Sequence, residues 1–162
     1  MDLRTLVTPR RLILGGAVLG LIHLLLVVLF PIGSAGATVI GFVMVLAFLA
    51  LAALAGTEAR RQGKRPGWAA TLPGLAYAVP ASGGAFFVHE TVTQAKKLMA
   101  EKGLAHGSPS VTPAQLARLA NSPSAHLVEF VISLILVVVV SIVVGSIAGA
   151  LRRPSKEDVH AV

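Results

Sequence analysis

The chain has 162 residues, 55% hydrophobic and 13% charged, with a formal net charge of +7 and no cysteine. A soluble domain carries about 25% charged residues because it faces water on every side, so a chain this poor in charge must meet lipid instead, and its length fits one domain. Thiol catalysis, disulfides and thiolate metal sites are excluded. So is a nucleic-acid partner, because the basic residues sit in short clusters between apolar runs and the polar segments offer little beyond Trp68 for base stacking.

The first apolar run covers about 10–30. Thr8 caps it, Pro9 suits the first helical position, and Pro31 ends it. About 20 residues of helix cross a hydrocarbon core, so this run spans. It exceeds the roughly 7–15 apolar residues of a signal peptide, despite Arg10 and Arg11 before it and Ala35-Gly36-Ala37 after it. The second run covers 37–56, with Gly56 as its stop. The uncharged link from Pro31 to Gly36 makes the first two helices an antiparallel hairpin.

A basic loop follows, with Arg60, Arg61, Lys64 and Arg65, and then Trp68 at a membrane interface. The third run, 68–88, holds Pro73, Gly74, Pro80, Gly83 and Gly84. Interior prolines remove hydrogen bonds and kink a helix. In lipid such breaks survive only beside protein or water, so this helix is expected to be bent and buried on at least one side.

Residues 89–124 form a polar arm with two amphipathic helices. The first runs from about Glu90 to Lys102. The second starts at Thr112-Pro113-Ala114-Gln115, a capping box. The fourth run covers 125–151. Its Val137–Val140 stretch is β-branched, but an open strand in lipid would leave its backbone unpaired, so the run is helical. The tail is 152–162. The expected fold is therefore all-α: a four-helix transmembrane bundle with a short amphipathic arm between helices three and four.

Most cationic residues fall on one side: Arg4, Arg10 and Arg11, the four of the basic loop, and Arg152, Arg153 and Lys156. The other side has Lys96, Lys97, Lys102 and Arg118. The heavier side is cytoplasmic. Both termini then lie in the cytoplasm and the arm lies outside, as in a multi-pass inner-membrane protein.

Three groups of residues stand out. Gly16 and Gly20, and the row Ser141, Gly145 and Gly149, have the small-residue spacing that lets membrane helices approach closely. Helices one and four are expected to touch through them, or one of them to form a homo-oligomer. His23 is the ionisable group deep inside a span; hydrogen bonding to a neighbouring helix accounts for it more simply than proton relay. His89, Glu90, His126 and Glu129 lie where helices three and four meet the arm. His126 and Glu129 share a face at i, i+3, and the four could hold a divalent metal. Polar groups are also ordinary where a helix leaves the hydrocarbon, and a carboxylate near the start of helix four suits its dipole. No GxSxG nucleophile motif or glycine-rich phosphate loop is present.

This order of hairpin, basic loop, third helix, polar arm and a fourth helix closing in Gly145-Ser-Ile-Ala-Gly-Ala-Leu-Arg-Arg153 resembles the small bacterial membrane proteins grouped as domain of unknown function 4199. The resemblance implies four helices and carries no activity, cofactor or site residue. Three functions follow as expectations. The first is an accessory protein acting through a membrane-protein partner or the bilayer, without cofactor. The second is a small transporter or channel subunit, favoured by the broken third helix. The third is a metal-dependent enzyme using the His/Glu cluster.

Overall fold

The computed structural model describes residues 8–30, 35–87, 89–101 and 111–152. The link at 31–34, Lys102, the loop at 103–110 and the tail from 153 lie outside the described residues. Among those described, every regular element is helical: α1 (Pro9–Leu29), α2 (Ala35–Arg61), α3 (Pro66–Gly83) with a 3-10 turn at Gly84–Phe86, α4 (Val92–Glu101), α5 (Pro113–Ala120) and α6 (Pro123–Leu151).

Local chemistry sets several starts. The Thr8 hydroxyl accepts from the Arg11 amide at 3.4 Å, with Pro9 opening α1. Thr112 and Gln115 form a reciprocal capping box for α5. Ser122 caps α6 and Pro123 opens it, two residues ahead of the expected start. Gly56 does not end α2, which continues five residues to Arg61; its role is in packing.

Three helices, α1, α2 and α6, are long and apolar enough to cross a membrane. This corrects the expectation of four such spans. The 18 residues of α3 include Pro66, Pro73, Pro80, Gly67, Gly74, Gly83, Thr71, Tyr77 and Ser82, which lower its apolar character. The physical reason lies in its position. α3 packs against α1, α2 and α6 together, and Gly67, Ala70, Thr71, Pro73, Gly74, Tyr77 and Ala78 are buried. One face of α3 is covered by three other helices and its sequence there answers to packing, while Trp68, Leu72 and Val79 face outward.

The rest of the molecule is apolar on the outside. Leu14, Leu21 and Leu25 of α1, Val39, Phe42 and Leu46 of α2, and Ile132, Leu136, Val139 and Ile147 of α6 are all exposed. The buried set is small-sided: alanines 52, 55, 59, 70 and 78, with Leu12, Met44, Phe48 and Tyr77. Apolar bulk outward and small groups inward is the arrangement of a membrane protein, whose solvent is hydrocarbon.

Glycines set how close the helices come. A Cβ on Gly16 would collide with the Pro73 carbonyl oxygen, and one on Gly20 with the Tyr77 carbonyl oxygen. On the other flank, a Cβ on Gly145 would stand 2.6 Å from the Ala70 methyl, and one on Gly56 would stand 2.6 Å from the Gly145 Cα. Gly149 faces Pro66 and Gly56, and Ser141 faces Gly74. The row in α1 therefore rests on α3, and the row in α6 rests on α3 and α2. They do not bring the first and last spans together, as their spacing had suggested. A helix of small residues lies between them and accepts both.

These contacts define two ends. The basic end holds the start of α1, the end of α2, the start of α3 and the end of α6, where Arg152 donates to the Thr57 carbonyl at 3.4 Å. The arm end holds α4 and α5, which pack on each other, and the first turns of α6.

Candidate ligand cavity

Tyr77 marks the middle of the bundle. Its hydroxyl and His23 Nδ1 share a hydrogen bond of 2.7 Å, and its ring stacks on Phe48 with centroids 5.0 Å apart. His23 is twelve residues beyond Arg11, or about 18 Å along the helix at 1.5 Å per residue, which is mid-depth for a bilayer about 30 Å thick. The deep histidine is thus a hydrogen-bonded group of the interior.

From this pair a cavity of about 580 Å³ runs toward the arm end. α1 contributes His23 and Val27, α2 contributes Val45, and α3 contributes Tyr77, Ala81 and Ser82. The far wall is α6, with Ala125, His126, Glu129, Ser133, Leu136 and Val137. Glu90, Ala120 and Asn121 stand at the mouth. There Asn121 ties the arm to itself: its Oδ1 accepts from the Glu90 amide at 2.7 Å, and its Nδ2 donates to the Glu90 carbonyl at 2.8 Å. The bonds use the Glu90 backbone and leave its carboxylate out of the clamp.

His126 is the most telling wall residue. It is only 8% exposed, and neither ring nitrogen has a hydrogen-bond partner. Its ring lies against Phe86, with centroids 5.8 Å apart, and against His89 at 6.1 Å. A buried polar atom without a partner costs about 1–3 kcal/mol, and such atoms call for an explanation.

The four residues considered for a metal do not act as a set. His89 and His126 approach ring to ring, and Glu90 and Glu129 line the cavity. Among the described residues, however, no three His, Asp or Glu side chains are grouped to hold a metal ion. Glu90, His126 and Glu129 are polar groups in a mostly apolar cavity wall.

No family model, curated protein or solved structure matches the chain. Its function must be argued from this cavity.

The cavity stops short of the basic end, where the glycine contacts and the core of Leu12, Ala52, Ala55 and Ala70 close the bundle. A separate pocket of about 200 Å³ there has a mostly apolar wall that includes Leu12, Ile13, Ala55 and Leu72, with Glu58 and Lys64 among its lining residues. The main cavity is thus a one-ended recess rather than a pore. Tyr77, Ser82, Asn121 and Ser133 were not singled out from sequence. The available signal was weak: the sole tyrosine of the chain sits between two prolines of a helix that must be sheathed.

Proposed function

We propose that the protein is a multi-pass inner-membrane protein that binds a small hydrogen-bonding solute in the cavity beside α3. In this reading α3 crosses the bilayer as a fourth, sheathed span. Both termini are cytoplasmic, because the basic end carries most of the cationic residues, and the cavity opens toward the outside. Helix-breaking residues beside a recess that carries a few polar groups at mid-depth are features shared with membrane transport sites.

The observation that carries the reading is His126, nine-tenths buried, lining the recess with both nitrogens unpartnered. A thermal-shift screen of small polar solutes in mild detergent tests this reading. Compounds that stabilise the wild type should fail to stabilise His126→Phe, which keeps the ring and removes the nitrogens. Equal responses of the two proteins across the whole collection would contradict it.

A second reading draws on the arm, where Val92, Val111 and Leu119 are exposed. An apolar arm surface suits an accessory subunit that docks on a membrane protein or a second copy of the chain. A pull-down from mild detergent that returns neither a stoichiometric partner nor self-association removes it.

A further inference from the structure

The cavity wall has a sign. Glu90 and Glu129 line it, and no lysine or arginine does among the described residues. This is notable in a chain with a net charge of +7. Helix ends reinforce the bias. The C-terminal turns of α3 and α5 contribute Ala81, Ser82 and Asn121 to the cavity lining. The C-terminal end of a helix carries about half a negative charge. The N-terminus of α6 has the opposite sign, and Glu129, within its first two turns, offsets it. Carboxylates and helix carbonyl ends at depth are the groups that hold cations in membrane sites.

The acidic pair alone would be an ordinary interfacial feature. His126 supplies the independent observation, since its buried ring lines the same space and its nitrogens have no partner among the described residues. A bare metal ion is a poor match, because no three ligands are grouped among the described residues. The volume of about 580 Å³ also suits a molecule of several heavy atoms. We infer that the guest is a small organic cation, an ammonium whose N–H groups face the carboxylates and the imidazole while its carbon skeleton lies against Val27, Val45, Leu136 and Val137. This rests on the solute-binding reading above and assigns the chemical class of the solute.

The test compares three probes of one shape: benzylamine, which is protonated at neutral pH, benzyl alcohol and benzoate. Binding to the full chain in phosphatidylcholine nanodiscs is measured by calorimetry, with empty discs subtracted. Benzylamine should bind about tenfold or more tightly than either other probe, the range expected for charge-assisted hydrogen bonds. Glu129→Gln, with Glu90→Gln as a second variant, should remove most of that preference by weakening benzylamine far more than benzyl alcohol. A phosphatidylethanolamine headgroup presents the same ammonium. Weaker benzylamine binding in discs containing that lipid would assign the site to the headgroup, and unchanged binding would assign it to a free amine. Tighter His126-dependent binding of benzoate or benzyl alcohol overturns the cationic assignment while the cavity reading stands. If no probe distinguishes wild type from His126→Phe, the cavity reading itself falls.

Discussion

The two ends of this bundle are built from the same helices and do opposite things. At the basic end Gly56, Gly145 and Gly149 bring backbones together until no side chain fits between them. Toward the arm end the facing positions become His23, Tyr77, Ser82, His126 and Ser133, and a cavity of about 580 Å³ lies among them. Helix packing in lipid gains little from burying more apolar surface, because the tails are equally apolar. Close approach and hydrogen bonds decide instead. One end is therefore sealed by residue size, and the other holds polar groups: His23 and Tyr77, which pair with each other, and His126, whose ring nitrogens have no partner among the described residues.

The contrast can be broken most severely at the seal. In Gly56→Val the new side chain meets the Gly145 backbone, which has no flexible end to move aside. Unfolding in mixed micelles should show a loss of about 3 kcal/mol, at the upper end for overpacking. The polar end should yield less. Tyr77→Phe removes the 2.7 Å hydrogen bond to His23 and should cost about 1 kcal/mol by the same measurement. The smallest effect has the opposite sign. A Cβ on Gly41 meets nothing within 4 Å, so Gly41→Ala should stabilise by about 0.5 kcal/mol through reduced freedom of the unfolded chain.

Much of the fold was legible because it is local. Thr8-Pro9 and Thr112-Pro113-Ala114-Gln115 announce helix starts by hydrogen bonds three residues away. Long apolar runs announce spans by composition alone. The errors came from the same limitation. Spacing shows that Gly16 and Gly20 share a face, but not which helix covers that face, so α3 could not be placed at the centre. Gly56 was mistaken for a stop, because a glycine that admits a neighbour and one that ends a helix look alike in sequence. The third span differs for a related reason: a run of adequate length that is rich in proline, glycine and polar residues can pack one face against three helices without being apolar enough to count as a span.

The cavity was less legible still. His23 and Tyr77 are 54 residues apart, and Glu90 and Asn121 are 31 apart. No short-range pattern links such pairs. His126, Glu90 and Glu129 did stand out as polar residues at helix ends, but their chemistry depended on the space between them. A metal cluster and the wall of a recess share the same residue types and differ only in convergence.

The absence of native cysteine gives a direct way to test the sealed and open halves. Single cysteines at Ser82, in the cavity wall, and at Ser141, fully buried against Gly74, would each be the sole thiol. Sealed vesicles of both orientations would be treated with a small membrane-impermeant thiol reagent. Ser82→Cys should react from the arm side and stay protected from the basic side, and Ser141→Cys should resist reaction from either. Labelling of Ser82→Cys only from the basic side, or equal labelling of both positions, would contradict a recess that opens at one end and is closed by glycine packing at the other.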